Sequence, residues 1–245
     1  NFVNSSSANY VAWNWKAGGA ARNNTDGSVA SLVSANTAAG FSIVKYTGNS
    51  TVGATIGHGL GVKPELFFIK GLSGIRDWIA WCNEDNTKLG YLNYTDAFDS
   101  SRYSWALNST QPTSTTITFS NDAATNGSGN YIAYCWRSIA GYSKIGSYTG
   151  NGSTTGPTIV TGFEPAWVMV KRTDNTSAWN IQDNKRNTTN PRTSVLQASS
   201  SDQEYTSSTY AINFNTNDFQ IVNSDNGWNT SGGTYIYMAF ATNPT

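Results

Sequence analysis

A chain of 245 residues in which 38% are hydrophobic and only 12% charged carries too little charge for a disordered polyelectrolyte, and no apolar run reaches the length needed to cross a bilayer. Fifteen Lys and Arg balance fifteen Asp and Glu without clustering, which disfavours a nucleic-acid partner, because phosphates require a basic stripe. The core material is aromatic: nine Trp, thirteen Tyr and ten Phe, each contributing about 1.5–3 kcal/mol when fully buried.

Apolar residues come in short bursts bounded by Gly, Asn, Asp, Ser, Thr and Pro, without the i, i+3, i+4 spacing of an amphipathic helix. The pattern predicts strands at 9–16, 41–47, 65–71, 77–82, 89–94, 115–119 and 130–137, then at 143–149, 166–172, 177–182, 193–197, 209–214, 218–222 and 233–241. Residues 17–40 are small and polar around an Asn24-Thr25-Asp26-Gly27 turn and read as a linker or a clip. Many short strands at this spacing indicate a sandwich or jelly roll.

The second set of strands repeats the first. Tyr46-Thr47-Gly48-Asn49 returns as Tyr148-Thr149-Gly150-Asn151, the Pro64 to Lys70 run as Pro165 to Lys171, Trp78 as Trp179, and Asn130 to Trp136 as Thr234 to Phe240. The offsets stay within 101–104 residues, about the size of one domain. The segment Asn9-Tyr10-Val11-Ala12-Trp13-Asn14-Trp15-Lys16 matches Asn130 to Arg137 nearly position for position, so residues 1–16 read as the closing strand of a preceding repeat. Within it, Trp13 and Trp15 would face the side opposite Asn14. The runs 66–69, 166–170 and 235–240 are apolar on both faces, whereas a two-layer sandwich wets its outer face. A neighbouring module or subunit must cover them.

Tyr10 to Gly19, Asn24 to Ser28, Gly40 to Val44, Gly57-His58-Gly59-Leu60-Gly61 and Gly141 to Gly152 together resemble repeat modules of tailed-bacteriophage proteins, especially tail fibre-like proteins of marine and cyanobacterial phages. The resemblance covers almost the whole chain. It implies a virion context and a homo-oligomer, a trimer by analogy with phage fibres, and it implies no catalytic residue.

Few side chains invite chemistry. His58 is the single histidine, in a Gly-flanked turn, and has neither the partners of a zinc cluster nor those of a triad; one ring nitrogen bonded to the backbone accounts for it. Glycoside hydrolysis needs two carboxylates about 5–10 Å apart; Glu84-Asp85, Asp96-Asp99 and Asp202-Glu204 are the candidates in principle, but all sit in polar stretches beside turn residues and read as solvated loop positions. The oxygen-rich run Asp122 to Asn130 lacks the calcium-loop pattern and reads as a polar turn. Cys82 and Cys135 have no counterparts in the second copy, and a bridge between them stays open. Trp105 lies between polar segments and Trp228 in the loop 223–233, where each could stack on a sugar ring or fold back over its module. The candidate ligand-binding set is therefore Trp105, Tyr103, Asn108, Trp228 and Asn229.

The expectation is an all-β protein of two tandem β-sandwich, jelly-roll-like modules, 41–142 and 143–245, arising from an internal duplication and preceded by the strand 1–16 and the linker or clip 17–40. Its expected work is non-catalytic, multivalent binding by a phage tail fibre or related appendage, located in the virion and acting outside the cell. The expected partners are further copies of itself, other virion proteins and a host-surface glycan or receptor. No cofactor, metal, nucleic acid or membrane insertion is expected. An architectural virion or filament protein is the alternative, and a glycan-degrading enzyme ranks last.

Overall fold

The computed structural model of the chain describes residues 5–242. Residues 1–4 of the expected closing strand and 243–245 at the other end lie outside it. The first half contains β1 (Arg22–Asn24), β2 (Ser31–Asn36), β3 (Phe41–Thr47), β4 (Thr55–Gly57), β5 (Leu66–Gly71), β6 (Trp78–Cys82), β7 (Gly90–Tyr91), α1 (Ser100–Leu107), β8 (Thr116–Thr118) and β9 (Asn130–Trp136). The second contains β10 (Ser143–Thr149), β11 (Thr158–Val160), β12 (Pro165–Arg172), β13 (Trp179–Asp183), β14 (Ser194–Gln197), β15 (Tyr205–Thr206), β16 (Ile212–Phe214), β17 (Asp218–Ile221) and β18 (Thr234–Ala241).

The main sheet of the first half runs β1-β2-β3-β9-β5-β6-β7, and that of the second β10-β18-β12-β13-β14-β15. From β3 and from β10 onwards the two orders coincide, strand for strand, and all neighbours are antiparallel. Even the register agrees, Lys70 opposite Trp78 and Lys171 opposite Trp179. The chain is all-β and sandwich-like; among the described residues its helical elements are α1, of two turns, and two short 3-10 turns at Asn83–Asp85 and Ser208–Tyr210.

Side chains alternate along each strand, and that alternation builds four layers. One face of the first sheet, carrying Val44, Tyr46, Phe67, Ile69, Trp81 and Tyr131, packs on Ile56 of β4, Ile117 of β8 and Tyr103, Ala106 and Leu107 of α1. The outer face of the second sheet, with Val168, Val170, Tyr235 and Tyr237, packs on Ile159, Ile212, Phe214 and Phe219 of the small sheet β11-β17-β16. Between them the remaining faces meet: Leu66, Phe68, Ala80 and Trp136 pack against Ile145, Trp167, Met169, Ile181, Ile236 and Met238. The cover required by the doubly apolar strands is thus the other half of the same chain.

Backbone groups join the halves as well. Phe98 N donates to Thr173 O at 2.9 Å and Ser177 N to Thr95 O at 2.7 Å, while Trp179 Nε1 donates to Tyr91 O at 2.8 Å.

Three expectations need correction. Of the two readings of residues 17–40, a linker or a clip, the linker does not hold, because β1 and β2 form a hairpin laid on the edge of the first sheet through β2–β3 pairing from Ser31↔Tyr46 to Asn36↔Phe41. Residues 100–107 form a helix, with Asp99 as its N-cap accepting from Ser101 N at 2.6 Å. Residues 9–16 are not a strand. Among the described residues no backbone–backbone hydrogen bond involves residues 9–20; the root of this strap is tied to β2 by side chains, Asn36 Nδ2 donating to Lys16 O at 3.1 Å and Ser34 Oγ to Gly19 O at 2.7 Å.

Candidate functional site

The five residues singled out from sequence are not brought together as an exposed platform. Trp228 and Asn229 are fully buried and Tyr103 is 5% exposed. Trp228 belongs to the core of the second half, where it packs among Phe219, Tyr235 and their neighbours. Asn229 is a buried staple: its Oδ1 accepts from Asn151 N at 2.8 Å and its Nδ2 donates to Ser153 O at 2.7 Å. Asn126 does the same in the first half, accepting from Asn49 N at 3.0 Å and donating to Thr51 O at 2.9 Å. The tight turns of both loops depend on these amides, and a buried amide must find partners. Trp105 is half-buried against the first core, on α1. Asn108 is exposed and ends that helix at φ 53°, a left-handed conformation that Asn tolerates better than most residues.

Other polar candidates are equally engaged. His58 is buried; its Nδ1 accepts from Leu60 N at 3.3 Å, which leaves Nε2 to donate to Thr113 O at 3.3 Å, and burial lowers its pKa. Asp96 pairs with Arg102, Asp85 with Lys88 and Glu204 with Arg186. Glu84 accepts from Ser147 Oγ at 2.9 Å. Cys82 and Cys135 are unbridged and face opposite sides of their sheet; burial pushes each thiol up to about 12. Among the described residues no group of three or more His, Cys, Asp and Glu could hold a metal ion, and no helix is long and apolar enough to cross a membrane.

The feature that could take a ligand lies between the halves. A cleft of about 340 Å³ is lined by Phe68, Trp78, Tyr134 and Trp136 from the first sheet and by Trp167, Met169, Ile181 and Met238 from the second. Its third wall is the strap. Trp15 packs edge-on against Trp136, Trp167 and Phe240 with ring centroids 5.4–6.1 Å apart. Trp13 meets Trp167 at 6.1 Å, donates Nε1 to Asp183 Oδ2 at 3.1 Å and lies under the Arg186 guanidinium, 5.6 Å from its ring. Such aromatic pairs are worth about 0.5–1.5 kcal/mol each beyond burial. Asn14, between the two tryptophans, also lines the cleft and is exposed.

The electrostatics around the cleft are set by its neighbours. Hydrogen bonds from the Arg186 and Lys185 backbone, together with the Arg186 guanidinium, hold the Asp183 carboxyl below its usual range against the opposing effect of burial. Lys171 is fully buried at the junction of the halves, with Nζ donating to Thr95 O at 3.0 Å and Ser177 O at 2.6 Å, and desolvation lowers its pKa to about 8. The cleft itself offers aromatic faces and few polar groups. It is suited to stacking rather than to acid–base chemistry.

The family model described as "Domain of unknown function (DUF7483)" matches residues 1–244. No curated protein and no solved structure is significantly similar to the chain.

Proposed function

The chain belongs to the DUF7483 family, a domain of unknown function, and from that premise we propose that it is a non-catalytic attachment module of a bacteriophage virion appendage of tail-fibre type, which holds a host-surface glycan in the aromatic cleft. The carrying observation is the cleft, where Trp78, Tyr134, Trp13 and Trp15 stand around a space of about 340 Å³. Aromatic faces accept the C–H faces of sugar rings, while Asn14 and the Tyr134 hydroxyl supply the few polar groups such a site needs for orientation. The virion context rests on the resemblance of the sequence motifs. In a homo-oligomeric appendage, trimeric by the same analogy, several weak clefts would act together and multiply apparent affinity without new contacts.

Trp78 tests this reading, because it is half-buried, lines the cleft and stacks on Tyr134 at 6.2 Å. Trp78→Ala is expected to keep the far-ultraviolet spectrum and to lose at least tenfold in host-cell adsorption and glycan-array signal, about 1.4 kcal/mol or more. Adsorption equal to wild type removes the cleft from the attachment site. The architectural alternative, a spacer of the appendage, is favoured by the shared core between the halves, which fixes them as one stiff unit; it gains if no glycan binds at all.

A further inference from the structure

A row of side chains that crosses both main sheets is covered on one and open on the other. On the first sheet Lys45 of β3, Ile132 of β9, Lys70 of β5 and Trp78 of β6 stand opposite one another in register, on four adjacent strands. Alternation puts all four on the face that carries Phe68 and Trp136. The second sheet has the same row as Ser147, Ile236, Lys171 and Trp179. There Glu84 accepts from Ser147 Oγ at 2.9 Å, Thr95 O from Lys171 Nζ at 3.0 Å and Tyr91 O from Trp179 Nε1 at 2.8 Å. All three acceptors come from the first half, and Ile236, Lys171 and Trp179 are buried beneath that cover.

The row on the first sheet faces outward. Lys45 is exposed, and Ile132, Lys70 and Trp78 are half-buried. Lys70 Nζ donates to Arg76 O, the counterpart of Ser177 O at Lys171, and lies 5.7 Å from the centre of the Trp78 ring. Among the described residues no counterpart of Thr95 O bonds to it. The ion pairs among those residues are made by Lys88, Arg102, Arg172 and Arg186, so neither lysine of the row takes part in one. Asp77, beside Trp78 in the chain, accepts from Asn93 Nδ2 at 2.9 Å. The side chains of the row therefore offer two ammonium groups and an indole N–H, and no acceptor. Lys45 and Lys70 stand two strands apart, about 9.5 Å, and Trp78 carries the row into the cleft beside Tyr134.

From these observations we infer that the ligand of the cleft is an acidic glycan, whose carboxylates lie on Lys45 and Lys70 while a sugar ring stacks on Trp78. The second sheet shows what such a row takes: oxygen acceptors, a carboxylate among them, laid across the strands. A glycan fits better than an acidic peptide, because the row runs into aromatic faces that receive the C–H side of a sugar ring. Charge-assisted hydrogen bonds from the lysines then add to the stacking. The inference deepens the proposed function by naming the class of ligand, and it rests on that reading for the stacked sugar.

The probe is a hexasaccharide of galacturonic acid, titrated calorimetrically into the full chain beside its fully methyl-esterified, uncharged form. At low salt the acid should bind about tenfold more tightly than the ester, as two exposed ion pairs allow, and the gap should close towards about 1 M salt. Lys45→Gln/Lys70→Gln should bind the acid no better than the ester, and Lys45→Arg/Lys70→Arg should keep the preference. The comparison of acid with ester on the unaltered chain is independent of how either variant folds. Trp78→Ala should weaken both forms. Equal binding of acid and ester by the unaltered chain, lost in Trp78→Ala, overturns the inference and leaves the cleft as a site for neutral sugars. Failure of both forms to bind also overturns it, while host adsorption of Trp78→Ala still decides the attachment reading. So does polyglutamate bound as tightly as the acid with the same dependence on both lysines, since charge alone would then be recognised.

Discussion

Trp228 and Lys171 show how far a residue's surroundings can depart from its place in the sequence. Trp228 sits in a loop rich in Asn, Ser and Gly, yet it is fully buried, and the hydroxyl of Tyr148 donates to its carbonyl at 2.9 Å. Trp228→Ala is therefore expected to cost about 3–5 kcal/mol, as large core truncations do, whereas Trp105→Ala, removing a half-buried ring, should cost clearly less. Urea denaturation of the two variants checks the order, and equal midpoints would contradict the burial argument. Lys171 makes a pH prediction. Its folded pKa of about 8 lies below the ordinary value of 10.5, so between those values the unfolded chain binds more protons and stability should rise with pH. Above pH 9 the two buried thiols, raised to about 12, act in the opposite direction, as do the raised tyrosines. Comparison with Lys171→Met cancels those groups. The stability of wild type relative to Lys171→Met should increase from pH 8 towards 10.5, and a flat difference would mean that the buried lysine titrates normally.

At the scale of elements, α1 shows what a capping residue contributes. Asn108 holds φ 53° and Ser109 φ 50° directly after the helix, and the Asn108 backbone N–H returns to Tyr103 O. Asn108→Gly should be neutral or slightly stabilising, while Asn108→Val should cost about 1–2 kcal/mol, because a β-branched residue resists the left-handed region. Thermal melts of both variants decide it; equal losses would show that the amide side chain, not the backbone conformation, matters. The same helix marks the limit of what was legible. Strands such as 41–47, 130–137 and 233–241 stand out because apolar bursts end at Gly and Asn. The helix is hidden because it is only eight residues long and three exposed serines and an arginine leave few apolar positions in it, although Asp99 before Ser101 and the spacing of Tyr103, Ala106 and Leu107 were available as signals. β2 is hidden for a related reason: Ser31, Ser34 and Ala35 give it little apolar contrast, and Leu32 is 46% exposed. The cleft could not be read at all. Its walls come from the strap, both main sheets and the end of β14, which only tertiary packing brings together. The doubly apolar strands announced that a cover existed, without saying which surface supplied it.

For the molecule as a whole, the decisive surface is the one shared by the two main sheets. Trp167, Met169, Ile236 and Met238 from one half and Leu66, Phe68, Ala80 and Trp136 from the other are each less than 9% exposed, and all belong to one cluster. Separating the halves would return these side chains to water at about 25 cal/mol per Å² of apolar surface. It would also strand Lys171, whose ammonium group depends on Thr95 O from the first half as well as on Ser177 O. Thr173 O, which accepts from Phe98 N, would lose that donor too. Against a typical domain stability of about 5–15 kcal/mol, such a loss leaves neither half with a safe margin. The chain should therefore unfold in one cooperative transition, with calorimetric and van't Hoff enthalpies in agreement, despite containing two sheets of matching strand order. A fragment of residues 138–242, expressed alone, should bind hydrophobic dye and aggregate, and should recover a defined fold when coexpressed with residues 5–137. Two separate melting transitions in the intact chain, or a stable and monomeric isolated fragment, would show that the central layer is a contact between independent domains and not a common core.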